Sequence, residues 1–310
     1  MHAYEICDLH KTYGGGVRAN QGLDFAIETG EVFGILGPNG AGKSTLVQQM
    51  VALSRPTRGE VRLFGQVVRP HDLQVRRTVG YLAQRPLALY DLQAREAVID
   101  SGRLRGLTRA QAIREADALI EETGLGERSK RLVGNLSGGE HRLVGLATAL
   151  VGSPRVLLLD EPTNELDPFA RRRVWDMLLR RRASGTTIIL VTHNVLEAER
   201  VVGRVAIMAS GRIAAIGTPG ELKERLRSEV RLEVALRDGA TPVPSWLSAG
   251  SQIGERHWSL SLQRERLGEA LRRLGEPGVS GEIEDLRIAR PSLEDVYLSY
   301  DDEEAPRDAS

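Results

Sequence analysis

The sequence is poor in the features that mark secreted, membrane-spanning and strongly charged proteins. Its single cysteine, Cys7, cannot form an intrachain disulfide, and the chain begins without a long apolar run, so we do not expect a secreted, oxidised protein. No stretch approaches the roughly 20 consecutive apolar residues that a membrane-spanning helix needs. The 42 basic and 42 acidic residues balance, so no overall charge favours nucleic acid or an anionic membrane. We expect a soluble protein whose membrane role must come from a partner.

From residue 1 to about residue 222, strand and helix signals alternate. Apolar runs of strand length occur at Glu31–Leu36, Val156–Leu159 and Thr186–Val191. Runs rich in leucine and β-branched residues are typical of strands buried on both faces of a largely parallel sheet. Lys43–Leu53 has a helical pattern and follows the first strand directly. These signals predict an α/β domain over residues 1–222.

Residues 94–150 lack comparable strands. Apolar side chains recur there at helical spacing, as at Ala112, Ala116, Leu119 and Ile120. We therefore expect a helical subdomain, over about residues 86–150, inserted between strands of the sheet.

The pattern changes after Gly217-Thr218-Pro219, a turn signal. Apolar residues alternate in 230–236 and 258–262, as in half-buried strands, whereas 267–274 has a helical face and 282–289 resembles a third strand. This order predicts a small α+β domain over residues 223–300. The acidic residues 301–310 have no apolar anchor, so we expect a disordered tail.

The segment after the first apolar strand matches the phosphate-loop pattern at every position. It consists of Gly37, Pro38, Asn39, Gly40, Ala41, Gly42, Lys43, Ser44 and Thr45. Glycines let the backbone curl so that N–H groups point at phosphate oxygens, at the positive end of the following helix. Lys43 is expected to reach the β and γ phosphates, and the Ser44 hydroxyl to bind Mg²⁺. A glycine-rich turn without a ligand is the alternative, which the strand-to-helix context disfavours.

A second apolar strand, Val156–Leu159, delivers two carboxylates, Asp160 and Glu161. A carboxylate at a strand end can hold Mg²⁺ directly or through water, which we assign to Asp160. Glu161, the next residue, is placed to act as the general base that polarises the attacking water. An Asp-Glu pair alone is often a solvated turn, but Lys43 upstream favours nucleotide hydrolysis.

Between these motifs lies Leu136-Ser137-Gly138-Gly139-Glu140. With the phosphate loop before it and the Asp-Glu strand after it, this order resembles the ATP-binding cassette (ABC) family over Tyr4 to about Leu222. The resemblance implies a P-loop NTPase fold of the ABC type and hydrolysis of ATP with Mg²⁺. It also implies that Ser137, Gly138 and Gly139 contact the γ-phosphate bound to the other subunit of a head-to-tail dimer.

Three further residues fall in the order of the family's motifs. Gln84 resembles the Q-loop glutamine that touches Mg²⁺ and couples the nucleotide to the partner. His193, after the strand Thr187–Val191, resembles the switch histidine near the γ-phosphate and the catalytic water. Tyr13 resembles the aromatic residue that stacks on adenine, a contact that suits the ring. Each residue type alone is more often structural, so the assignment depends on the surrounding motifs.

Several positions depart from the family's pattern. Glu140 replaces a glutamine, which we expect to be benign. Three residues of the following helix stand where basic residues are common: His141, Leu143 and Thr148. Glu165 stands where a small residue is usual in the loop that crosses the dimer interface. We therefore expect unusual coupling between subunits or an unusual hydrolysis rate.

The C-terminal segment Pro291–Leu298 resembles the end of bacterial ATPases that drive efflux through separate membrane subunits. The resemblance implies an ATPase subunit that powers export and binds a membrane permease, as a homodimer or heterodimer. It implies a cytoplasmic location, peripheral on the inner face of the membrane. An amphipathic terminal helix without this role is the alternative.

Two other functions remain open. One is a soluble ABC ATPase that acts on ribosomes or nucleic acid, although this chain has neither two cassettes nor a long coiled coil. The arginine-rich stretches 171–173 and 180–182 could bind nucleic acid, but their helical spacing favours a solvated face, so we expect no nucleic-acid partner. The other is a weakly hydrolysing regulatory subunit, which Glu165 and Leu143 make conceivable.

Overall fold

The computed structural model describes residues 1–84, 89–224, 226, 229–237, 245–248, 250–276, 279–289 and 292–302. Its chain divides into two compact units, Met1–Thr218 and Pro219–Ser310. The contact boundary falls slightly before the predicted domain boundary at Leu222, because the helix Pro219–Glu224 packs against the helix Leu293–Asp302 of the second unit. The predicted subdomain start at residue 86 and residues 303–310 of the predicted tail lie outside the described residues.

The first unit contains two sheets and seven α-helices among its described residues. Its strands are β1 (His2–Thr12), β2 (Arg18–Glu28), β3 (Val32–Leu36), β4 (Arg58–Leu63), β5 (Gln66–Val67), β6 (Val79–Leu82), β7 (Val156–Asp160), β8 (Thr187–Val191), β9 (Arg204–Ala209) and β10 (Arg212–Gly217). Its helices are α1 (Lys43–Met50), α2 (Leu73–Thr78), α3 (Ala94–Leu104), α4 (Arg109–Thr123), α5 (Gly138–Leu150), α6 (Pro168–Ala183) and α7 (Val195–Glu199).

The central sheet has the order β10-β9-β3-β8-β7-β6. All its pairs are parallel except β9 with β10, which form an antiparallel edge. Every residue of β3, β7 and β8 is buried, as their apolar sequences predict. Because β3, β7 and β8 are neighbours and parallel, their carboxyl ends lie side by side at one edge of the sheet.

A second sheet, antiparallel and of order β2-β1-β4-β5, completes this unit. Helix α1 shares one buried cluster with both sheets, in which Leu46 and Met50 join Ile6 of β1 and Phe33 of β3. The predicted helix Lys43–Leu53 ends earlier, at Met50, because Ala52 adopts a left-handed φ of 61°. The packing of α1 fixes the loop that precedes it.

Helices α3, α4 and α5 follow one another between β6 and β7, so the predicted helical insertion is confirmed. Helix α6 carries the arginine-rich stretches. Two of its arginines, Arg180 and Arg181, form ion pairs with Glu122 of α4 at 2.9 and 2.7 Å. These two side chains therefore join α6 to α4. Among the helices that the structure describes, none combines the length and apolar character needed to cross a membrane.

The second unit is a small α+β domain, as predicted. It contains α8 (Pro219–Glu224), β11 (Glu229–Leu236), α9 (Ser245–Ser248), β12 (Ser251–Gly254), β13 (His257–Gln263), α10 (Leu267–Leu274), β14 (Ile283–Ala289) and α11 (Leu293–Asp302). Its sheet is antiparallel with the order β12-β13-β11-β14. Leu232, Trp258 and Leu274 lie in its core. The short strand β12 was not predicted, since its four residues are all exposed and show no apolar alternation.

Candidate functional site

The phosphate loop joins the end of β3 to the start of α1, the context that its sequence pattern requires. Gly42 caps the helix with φ 95°, and a Cβ there would collide with the backbone of Ala19 and the side chain of Asn20. Asn20 Nδ2 donates to the Gly42 carbonyl at 3.1 Å. Only glycine fits this position, because left-handed φ and close approach coincide. The loop therefore keeps its curl, with Asn39 and Ser44 exposed at its surface and Ala41 buried beneath.

Lys43 lies across this loop. Its Nζ donates to the carbonyls of Gly37 at 2.5 Å and Pro38 at 2.8 Å. Burial lowers the pKa of Lys43, and the carboxylates of Glu161 and Asp160 oppose that shift. The ammonium is thus held at the loop, close to both carboxylates.

Tyr13 stands beside the loop. Its Oη lies 3.4 Å from Thr45 Oγ1, and Lys11 Nζ lies 5.1 Å from its ring centroid. The ring is 41% exposed. An exposed aromatic face next to a phosphate loop is suited to stacking on a planar base.

Asp160 is the last residue of β7 and is buried. Burial and, to a lesser extent, the neighbouring Glu161 raise its pKa, Arg142 and Lys43 oppose the rise, and the resulting pKa is about 6. A buried carboxylate in this state is costly to ionise unless a cation neutralises it. Such a side chain fits a divalent cation that accompanies a triphosphate.

Glu161 is buried, and both its carboxylate oxygens have partners at the end of β8. Oε2 accepts from the Thr192 hydroxyl at 2.8 Å. Oε1 accepts from the His193 backbone N–H at 2.8 Å and lies 2.6 Å from His193 Nδ1. The His193 side chain is 63% exposed. The structure therefore brings together the two residues that the sequence placed at the ends of β7 and β8.

The segment Leu136–Glu140, hereafter the signature, lies at the start of helix α5, and Ser137 is the N-cap of that helix. Ser137 Oγ accepts from the Glu140 N–H at 3.4 Å, and Glu140 Oε2 accepts from the Ser137 N–H at 3.0 Å, which forms a capping box. Gly138 and Gly139 lie against Glu165 of the loop before α6. Among the described residues, no hydrogen bond joins the signature to the phosphate loop. One chain therefore holds the two glycine motifs separately.

Gln84 is exposed at the end of the segment that follows β6. It lines a cleft of about 440 Å³ together with Glu161 and Gly138. The residues that follow it, 85–88, are outside the described part of the chain. The cleft lies between the helical insertion and the carboxyl edge of the central sheet.

Three of the departures from the family pattern, all in α5, occupy packed positions. Leu143 is buried, and Thr148 Oγ1 donates to the Gly145 carbonyl at 2.7 Å within the helix. His141 packs against the Tyr90 ring at a centroid distance of 5.5 Å, and burial lowers its pKa. Apolar or neutral side chains suit these surroundings better than the basic side chains that are common at these positions in the family.

Sequence reasoning missed three residues of the site. Arg142 donates to the backbone on both sides of Glu161, Thr192 donates to its carboxylate, and Asn20 bonds the phosphate loop. Thr192 could have been found, because it directly precedes His193 at the strand end. Arg142 and Asn20 carry no motif signal, since their partners are distant in sequence.

Comparison with known proteins identifies the family. The ABC transporter family pattern matches residues 20–164. The daunorubicin/doxorubicin resistance ATP-binding protein DrrA of Streptomyces peucetius is 36% identical over 96% of this chain and 92% of its own length. The Nod factor export ATP-binding protein I of Rhizobium sp. (strain N33) is 32% identical over 96% of both chains.

Solved structures agree. An ATP-binding subunit of an ABC transporter matches with a TM-score of 0.68 and 27% identity, over 73% of this chain and 93% of that one. An ATP-binding cassette in a dimeric, post-hydrolysis state bound to ADP and Pi matches with a TM-score of 0.64 and 26% identity, over 69% of this chain and 98% of that one. The chain therefore belongs to the ABC transporter family and is an ABC-type ATPase.

Proposed function

We propose that this chain hydrolyses ATP to power export through a separate membrane permease. The observation that carries the proposal is the nature of its relatives, which are named for drug resistance and Nod factor export and match nearly the whole chain. The C-terminal unit is included in those matches, whereas the solved cassettes cover a smaller share of the chain. The chain works at the inner face of the membrane when bound to the permease.

The phosphate loop, Gly37 to Thr45, holds the triphosphate, and Tyr13 stacks on the adenine. Lys43 compensates phosphate charge because its ammonium is already fixed at the loop. Bound Mg²⁺ supplies positive charge on the phosphate oxygens, and Ser44, Asp160 and Gln84 would hold it. Mg²⁺ takes only one or two protein carboxylates and completes its shell with phosphate and water. A single buried carboxylate with a raised pKa, as at Asp160, fits that requirement.

Glu161 acts as the general base. Its carboxylate accepts the proton of the water that attacks the γ-phosphorus, and ADP leaves with the bridging oxygen. The His193 side chain, 2.6 Å from Glu161 Oε1, orients this carboxylate and contacts the reacting phosphate. In this structure two His193 nitrogens lie within hydrogen-bonding distance of Oε1, whereas Oε2 accepts one hydrogen bond, from Thr192. Because a carboxylate oxygen has two acceptor sites, Oε2 can still accept the proton of the attacking water.

A second copy of the chain completes the site. Ser137, Gly138 and Gly139 lie at the start of helix α5, whose N–H groups suit an anion. Because this segment makes no hydrogen bond to the phosphate loop among the described residues, we assign it to the ATP held by the partner. A related subunit with the same motif could replace the second copy. Closure on ATP and opening after hydrolysis would then transmit work to the permease.

Affinity capture tests the export function. We expect the Glu161→Gln chain, tagged and purified in mild detergent with ATP, to retain a membrane protein with several spanning helices. The Lys43→Ala chain, which lacks the phosphate contact, should retain the permease but lose ATP-dependent dimerisation. Recovery of ribosomes or nucleic acid in place of a membrane protein would overturn the proposal in favour of a soluble ABC ATPase.

A further inference from the structure

One guanidinium connects three segments of the site. Arg142, in the first turns of α5, donates through Nη1 to the Ala83 carbonyl at 2.7 Å. Its Nη2 donates to the carbonyl of Glu161 at 2.6 Å and to that of Asp160. These acceptors belong to the residue before Gln84 and to the end of β7. Helix α5 is thus hydrogen-bonded both to the residue before Gln84 and to the backbone at Glu161.

The backbone at Glu161 is in an unfavourable conformation. Its φ is 53°, in the left-handed region, which is unfavourable for a residue with a side chain. Such a conformation persists only when the surroundings fix it. The two carbonyls that Nη2 contacts belong to the peptide groups on either side of the Glu161 Cα. Arg142 therefore restrains the two peptide planes that determine where the Glu161 side chain begins.

Stability alone does not account for this arginine. Burial lowers the pKa of Arg142, against the attraction of nearby carboxylates. Its Nε is buried without a hydrogen-bond partner within the described part of the chain. A desolvated charge with an unsatisfied donor costs folding free energy. Costs of this kind concentrate at functional sites.

We propose that Arg142 is a positioning residue for ATP hydrolysis, which holds Glu161 in its left-handed conformation and ties it to the signature helix and the segment before Gln84. The proposal rests on the role of Glu161 as general base. Movement of α5 would reach the Glu161 backbone through this side chain. Its effect should appear in turnover and not in ATP binding, because its hydrogen bonds within the described residues go to Ala83, Asp160 and Glu161 and not to the phosphate loop.

The test compares Arg142→Gln and Arg142→Lys with a matched control. Arg105 is also a buried arginine, with a pKa lowered by burial to about 10, and its Nη1 donates to the carbonyls of Ala149 at 2.8 Å and Val151 at 2.5 Å. It contacts the opposite end of α5, so Arg105→Gln should lower thermal stability while kcat stays at the wild-type value.

Steady-state ATPase assays should show kcat reduced by about tenfold or more in Arg142→Gln, with KM for ATP within about threefold of the wild type. Arg142→Lys should recover part of kcat, since an ammonium keeps the charge but not the planar fork. A wild-type kcat in both Arg142 variants would overturn the proposal. The proposal would also be overturned if Arg105→Gln lost as much kcat as Arg142→Gln when the two variants are equally destabilised. If Arg142→Gln does not fold, the lysine variant decides by the same criteria.

A double-mutant cycle separates this proposal from the one on which it rests. In the Glu161→Gln background, slow single-turnover hydrolysis should be unchanged by Arg142→Lys, because the positioned carboxylate is already gone. An equal fold-loss in both backgrounds would overturn positioning through Glu161. Normal turnover in Glu161→Gln alone would instead overturn the general-base assignment. The two failures therefore give different results.

Discussion

Replacing Asp160 with asparagine should stabilise the nucleotide-free protein while abolishing its activity. Asp160 is buried, and its pKa rises from 3.8 to about 6 on folding. The folded protein therefore binds more protons than the unfolded chain between these values, so its stability falls as the pH rises through that window. A shift of two pKa units corresponds to about 3 kcal/mol. Since the asparagine amide must also be buried, we expect a net gain of about 1–2 kcal/mol at pH 8.

Urea unfolding of the wild type and the variant, without nucleotide, measures this gain. The difference in free energy of unfolding should be present at pH 8 and shrink at pH 5, where Asp160 is mostly protonated. The control is Asp117→Asn. Arg95 donates to that exposed carboxylate at 2.6 and 2.9 Å and lowers its pKa, so the control variant should lose a little stability at pH 8. If Asp160→Asn is no more stable than the wild type, or if its gain in free energy of unfolding is the same at pH 8 and pH 5, then burial of the ionised Asp160 carboxylate does not destabilise the protein.

Three further predictions concern single residues. Glu161→Gln should reduce turnover by about a hundredfold or more and accumulate an ATP-bound dimer in size-exclusion chromatography, and a near-normal rate would contradict its role as base. Gly42→Ala should lower Tm more than Gly40→Ala, since both have left-handed φ but only a Cβ at 42 meets other atoms; equal losses would disprove this. Gln49→Leu should raise the free energy of unfolding by about 1 kcal/mol, because neither polar atom of its buried amide has a hydrogen-bond partner among the described residues, and a lower value in urea unfolding would count against it.

Local sequence patterns predicted three strands of the central sheet, β3, β7 and β8, whereas β6, β9 and β10 were not predicted. The runs that form β3, β7 and β8 are apolar except for Asp160 at the end of β7 and Thr187 at the start of β8, and such runs predict strands buried on both faces. The glycine loop and the carboxylates also have local signals, because each follows such a strand. The antiparallel sheet of β1, β2, β4 and β5 was not predicted. Its β1–β2 and β4–β5 pairs join strands that follow one another in the chain, but β1 pairs with β4 across the intervening β2, β3 and α1, so no local pattern joins the two hairpins.

The contacts that organise the site could not be predicted in the same way. Arg142 reaches the backbone of Ala83 and Glu161 only because α5 packs beside β6. The hydrogen bonds of Glu161 to Thr192 and His193 follow from the register of β7 with β8, in which Asp160 pairs with Val191. Strand order and register depend on the whole fold, so no local pattern encodes these distances.

If two chains complete one hydrolytic site, mixing two inactive variants should restore activity. The Lys43→Ala chain keeps its signature, and a Ser137→Arg chain keeps its phosphate loop. Each variant alone should be inactive. An equimolar mixture should regain up to about a quarter of the wild-type ATPase rate, because half of the randomly formed dimers are mixed and each has one complete site of two. If the mixture is as inactive as either variant although mixed dimers are present, the phosphate loop of one chain and the signature of the other do not form one site.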